Sequence, residues 1–152
     1  MTIWRKLIDR LRTSPKQPQR LDYLNEALAL ERVGDYTAAL TSYRLGLRDN
    51  PNDPRILQNM GIAFTKTGQI AEAVRHYKKA LELDGSLSGA HYGVAFLLVK
   101  QGEYEKAAIH LRAFLSRPPK GPDADRWTQH AETVLQQLED PAESRVHAVA
   151  SL

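Results

Sequence analysis

Apolar residues recur three and four apart through most of residues 20–140, the spacing that lines one face of an α-helix. No stretch alternates apolar and polar positions over a useful length, so strands are not expected. The pattern also repeats. Val33-Gly-Asp-Tyr-Thr-Ala-Ala-Leu, Thr67-Gly-Gln-Ile-Ala-Glu-Ala-Val and Gln101-Gly-Glu-Tyr-Glu-Lys-Ala-Ala align without gaps at a 34-residue offset, each with Gly second and Ala seventh. This period gives units 20–53, 54–87 and 88–121, each predicted as two helices of roughly 12–14 residues joined at the glycine. Pro51 and Pro54 close the first unit, Gly85 the second, and Pro118 with Pro119 the third.

Small residues share register across the units, Ala27, Gly61 and Ala95 in the first helix and Ala39, Ala73 and Ala107 in the second. A minimal side chain lets two helix axes approach at the short end of the roughly 8–10 Å range. Leu30, Phe64 and Leu98, with Tyr43, Tyr77 and Leu111, then fill the space beside those contacts. One hairpin cannot bury its own apolar face, so stability comes from stacking neighbours.

These residues resemble the tetratricopeptide repeat family, whose 34-residue pattern runs W-x2-L-G-x2-Y, A-x3-F and P. Unit two fits best, with Leu57, Met60, Gly61, Phe64, Ala73, Tyr77, Ala80 and Gly85. Unit one carries Tyr23, Ala27, Leu30, Ala39, Tyr43, Gly46 and Pro51, and Glu26 stands where the family prefers leucine, which predicts a less buried face. Unit three carries His91, Val94, Ala95, Leu98, Ala107, Leu111 and Pro119. There Phe114 replaces a small residue, so looser or locally rebuilt packing is expected beyond it. Trp127, His130, Ala131 and Val134 repeat the first-helix pattern once more, and nothing like a second helix follows. The resemblance implies an all-α, right-handed α-solenoid of three helix hairpins. A capping helix over 122–140 and a flexible tail over 141–152 complete that expectation.

Composition narrows the chemistry. The 152 residues contain no cysteine, which removes disulfides, thiol catalysis and cysteine-based metal sites. No apolar run reaches the roughly 18 residues of a spanning helix, and charges interrupt the first ten residues where a signal peptide needs an apolar stretch. A cytoplasmic protein is expected. His76 and His110 fall 34 residues apart on successive second helices and are expected as a solvated pair, without a carboxylate placed to complete a zinc site. His91 and His130 read as core or boundary histidines. Asp49-Asn-Pro-Asn-Asp53 lacks the glycine and final glutamate of a calcium loop and reads as an inter-repeat turn. No phosphate loop or nucleophile elbow occurs, so neither catalysis nor a cofactor is expected.

The family resemblance implies a concave groove for a helix or peptide of a protein partner. Its groove positions carry over to Leu21, Leu24, Leu28 and Glu31; to Arg55, Gln58, Asn59, Ile62, Thr65 and Lys66; and to Tyr92, Phe96, Val99 and Lys100. Chaperone-binding members clamp a terminal carboxylate with Lys, Asn and Arg. Only Asn59 matches that clamp, and Leu24, Leu28, Gly89 and Gly93 replace its other members, so a chaperone-tail adaptor is disfavoured. Leu24, Leu28, Ile62, Tyr92 and Phe96 are expected to supply apolar contact, with Lys66 and Lys100 orienting an acidic partner end.

Charge is concentrated at one end. Residues 1–20 hold six cations against Asp9 alone, a net +5 within a chain total of +3. Residues 1–12 read as a basic amphipathic helix, joined to the array by the proline-rich linker 13–19. Ile3, Trp4, Leu7, Ile8 and Leu11 lie on one face, and Arg5, Lys6, Asp9, Arg10 and Arg12 lie around the rest. Three readings compete: packing on the chain's own repeats, docking on a partner or a second copy as a homo-oligomer, and lying on an anionic membrane surface. Nucleic acid is not expected as a partner, since the body is mildly acidic.

Overall fold

The computed structural model describes residues 22–140. The expectations for residues 1–12, for the linker 13–19, for Leu21 and for the tail from 141 lie outside them. Within the described residues the chain forms seven α-helices and no strand. They are α1 (Tyr23–Arg32), α2 (Tyr36–Asp49), α3 (Pro54–Lys66), α4 (Ile70–Leu83), α5 (Ser88–Lys100), α6 (Tyr104–Ser116) and α7 (Ala124–Glu139). None is long and apolar enough to cross a membrane.

Helix starts follow from local chemistry. Asp22 accepts from the Asn25 amide at 3.1 Å and Asp35 from the Ala38 amide at 3.0 Å. Asp53 accepts from the Arg55 and Ile56 amides at 2.9 and 3.3 Å, just before Pro54 at the first helical position. Such caps each stabilise a helix by about 1 kcal/mol. The repeated glycine ends the first helix of each unit. Gly34, Gly68 and Gly102 have φ of +81°, +76° and +75°, a region other residues enter only with strain. Each donates its amide three residues back, to Glu31, Thr65 and Val99. The next amide donates five back, to Leu30, Phe64 and Leu98, at 2.9 Å in all three copies. This pair of bonds is the Schellman motif, and it turns the chain straight into the second helix.

The helices pack as successive hairpins, α1 with α2, α3 with α4 and α5 with α6, and each hairpin stacks on the next. Contacts between α3 and α5 place the first helices of the second and third units side by side on one surface. Ala27, Ala39, Ala73 and Ala107 are fully buried at the close approaches, as the register predicts. Tyr77 is wedged between two glycines. A Cβ on Gly61 would sit 2.7 Å from its ring, and one on Gly93 would sit 2.5 Å from Cζ.

Glu26 is exposed, in keeping with its polar identity, and accepts from the Ser42 hydroxyl at 3.1 Å. At the other end the packing is rebuilt rather than loosened. Phe114 is buried with Ala95, Leu111 and Ala131 in a second apolar cluster beneath α7. Arg112 on α6 also donates to Glu139 near the end of α7.

Candidate functional site

The side-by-side first helices form one wall of an open cavity of about 560 Å³. Ile62, Tyr92, Phe96 and Leu97 line it, with Tyr77 and Phe114 deeper and Trp127 and Pro119 closing the far side. Lys66 and Lys100 complete its edge. Gly89 and Gly93, one helical turn apart on α5, also line it, and the space a Cβ would take is filled by the Gln58 side chain at the first and by the Tyr77 ring at the second. Gly93, inside the helix, costs roughly 1 kcal/mol relative to alanine.

An aromatic cluster holds the floor and far wall together. Tyr92 lies 4.6 Å from Phe96, 5.0 Å from Phe114 and 5.2 Å from Trp127 between ring centroids. His130 of α7 stacks on Phe96 at 4.7 Å with an 8° interplanar angle. Its Nδ1 lies 2.6 Å from the Tyr92 hydroxyl, within hydrogen-bond reach. The Arg126 guanidinium covers the Trp127 ring at 4.7 Å. Burial raises the Tyr92 hydroxyl above the ordinary phenol value, against the opposing pull of Arg126. Tyr77 is pushed up to about 12, chiefly by burial, with the Thr65 hydroxyl acting the other way and Glu31 adding to the rise. Both phenols are therefore neutral at physiological pH.

The structure brings Ile62, Thr65, Lys66, Tyr92, Phe96 and Lys100 together around this cavity. The other expected groove residues sit elsewhere. Leu24 is half-buried beside a smaller pocket with Asp22, Asp49 and Asp53, and Leu28 is half-buried on α1. Arg55 is exposed and pairs with Asp53 at 3.8 Å. Asn59 and the half-buried Glu31 carboxyl lie near the Tyr43 hydroxyl, yet that hydroxyl and Glu31 Oε1 are buried without a hydrogen-bond partner among the described residues. Burial raises the Glu31 carboxyl above the usual carboxylate range. Sequence reasoning placed Gly89 and Gly93 only as departures from a clamp. Two glycines within one helical turn, beside three aromatics, were the available signal that this part of α5 lines the cavity. Trp127 read as a repeat position, and its place in the cavity depends on how α7 docks.

The histidines depart from expectation. His76 and His110 are not a solvated pair, because each has its own neighbours. His76 Nδ1 lies 2.7 Å from the Glu72 carbonyl oxygen, and its ring packs 4.8 Å from Phe64. His110 instead meets His91, with their Nδ1 atoms 2.9 Å apart. His91 Nε2 lies 3.0 Å from the Gly85 carbonyl, which can only accept, so Nε2 carries the proton. In that tautomer the neutral His91 ring has a bare Nδ1, which can accept from His110. His130 is exposed rather than in the core, since α7 presents it to the cavity rim. Among the described residues no group of three or more His, Asp and Glu is placed to hold a metal.

This burial has a measurable consequence. His110 is held below the ordinary imidazole value by desolvation, then by His91 and Lys78, and His76 is held below it chiefly by desolvation. The unfolded chain therefore binds protons at these sites more readily than the folded one. Their contribution is complete above about pH 6.5 and declines as pH falls through the imidazole range. Urea midpoints are expected to drop between about pH 7.5 and pH 5.5, and His110→Gln to flatten that slope. Identical slopes in both proteins would contradict the assignment.

A family profile described as TPR repeat matches residues 61–102, across the second hairpin and into the third. The chain belongs to the tetratricopeptide repeat family. Among TPR-containing relatives, it is 32% identical over 102 residues to the photosystem I assembly protein Ycf3 of Acaryochloris marina. That match covers 65% of this chain and 61% of the relative, so the chain spans less than two thirds of that protein. The structure of the Yersinia enterocolitica type III secretion chaperone SycD in complex with a peptide of the translocator YopD superposes with a TM-score of 0.70. Identity there is 17%, over 77% of this chain and 89% of SycD, a likeness of fold alone. A MamA RS-1 double mutant superposes at 0.62 with 30% identity, over 84% of this chain and 72% of that one.

Proposed function

We propose that this TPR protein is a non-enzymatic interaction scaffold that receives an apolar helix or peptide of a partner protein in the cavity between α3, α5 and α7. One observation carries the reading: a cavity of about 560 Å³ is lined by Ile62, Tyr92, Phe96 and Trp127. A concave, mostly apolar site with a few polar groups at its edge is the general form of a binding pocket. An amphipathic helix fills such a groove with anchors at i, i+3, i+4 and i+7. The names of similar proteins point the same way. One is an assembly protein, and another is a chaperone solved with a peptide of its translocator.

Affinity capture from the source cells tests the reading, comparing the wild type with Ile62→Glu/Phe96→Glu. Both substitutions place carboxylates on half-buried positions of the cavity wall. Partners are expected to be lost at least tenfold while circular dichroism keeps its helical signal. Partners retained undiminished by the folded variant would move the working surface elsewhere.

A further inference from the structure

The cavity edge carries a charge pattern that selects its occupant. Lys66 and Lys100 are the only charged residues among its lining. Both are exposed, and neither has an ion-pair partner among the described residues. Some surface cations are matched: Arg75 by Glu72, Lys106 by Glu103, Arg112 by Glu139 and Arg126 by Asp123. Lys78, Lys79, Arg117 and Lys120 form no ion pair among the described residues, so it is the place of Lys66 and Lys100 on the cavity edge that sets them apart. Arg32 stands at the same register of the first unit, so a cation ends each of α1, α3 and α5 at the 34-residue period.

Complementing the helix dipole would favour a cation at any helix C-terminus. The distribution argues for more than that. All three inner helices carry a cation in the last turn, whereas of the other four only α2 does, with Arg48. The cations follow the concave surface rather than helix ends in general. Lys66 and Lys100 form a row along one edge of the groove, and Arg32 holds the same register on α1, outside the cavity.

We infer that the occupant is a partner segment that carries side-chain carboxylates along one flank of its apolar face, and that Lys66 and Lys100 receive them. This rests on the groove reading given above. The row extends along the array, so it matches acids spread along a segment rather than a single terminal carboxylate. Helix axes about 8–10 Å apart correspond to about five to seven residues of a bound helix at 1.5 Å per residue. The chain's own residues 1–20 have the wrong sign for this edge, with six cations against one acid.

Fluorescence anisotropy with the full chain tests this, using two labelled 18-residue amphipathic peptides, acetylated and amidated so that neither bears a terminal carboxylate. They share one Leu/Phe face; one has Glu at i and i+7 along a flank, the other Lys. The Glu peptide is expected to bind at least tenfold tighter in low salt, with the margin shrinking as salt rises. Lys66→Ala/Lys100→Ala should erase the preference, and Lys66→Glu/Lys100→Glu should reverse it, with helicity checked for both. Equal binding of the two peptides, unchanged by either variant, overturns the charge assignment and leaves the groove standing. Binding of neither peptide overturns the groove reading as well. A dimer seen by sedimentation that dissociates in Lys66→Glu/Lys100→Glu would put a second copy at this edge and overturn the inference.

Discussion

Phe114→Ala is expected to lower the unfolding free energy by about 3–5 kcal/mol, the range for emptying a large aromatic from a packed core. Repeat logic alone predicts the opposite. Gly46 and Ala80 hold this register in the first two units, so alanine would bring the third unit into line with them. The surroundings decide which argument wins. At Gly46 the absence of a side chain seats a neighbour, since an added Cβ would lie 3.0 Å from Ile56 Cδ1. At Phe114 the ring is itself the filler, 1% exposed among Ala95, Leu111 and Ala131 and 5.0 Å from Tyr92. Removing it leaves a void that small neighbours cannot close, and it undercuts the seat of α7. Urea unfolding should register the loss, and hydrogen exchange should show α7 losing protection first. A change below about 1 kcal/mol would mean that α7 collapses onto the vacancy and that the cluster is not the hinge of this packing.

That contrast shows what the sequence could and could not disclose. The hairpins were legible because the 34-residue register ties each glycine to a positive-φ turn with the same two backbone bonds. Buried alanines were legible for a similar reason, because close helix approach leaves room for little else. The half of the groove made by α3 and α5 followed from register alone, as Ile62, Lys66, Tyr92, Phe96 and Lys100 show. The far wall did not. Trp127 reaches the cavity, and His130 stacks on Phe96 beside it, through the docking of α7, which depends on Phe114 and Ala131 rather than on a repeat rule. The histidine pairing was missed because His91 and His110 occupy different positions of the hairpin, where a search by period cannot connect them. Register alone gives α1 the same standing as α3 and α5, yet Leu24 and Leu28 lie outside the cavity.

Gly89→Leu should separate stability from binding by moving them in opposite directions. Gly89 is the second residue of α5, so leucine there gains less than the roughly 1 kcal/mol it gains in a helix interior, and Tm should rise by no more than about 2–4 °C. The new Cβ would meet Gln58 Oε1 at 3.2 Å, the end of a flexible side chain that can swing aside. Gly93 offers no such freedom, because its Cβ would press on the buried Tyr77 ring at 2.5 Å. Only Gly89 can therefore be filled without disturbing the core. The leucine side chain would occupy the mouth of the cavity beside Ile62 and Tyr92 and displace an apolar anchor. Affinity for a captured partner is expected to fall at least tenfold, or about 1.4 kcal/mol, while thermal unfolding shifts upward. Gly89→Ala, with the same helical gain and little added bulk, should keep most of the affinity. A more stable Gly89→Leu protein that binds as tightly as the wild type would show that partners do not enter between α3, α5 and α7.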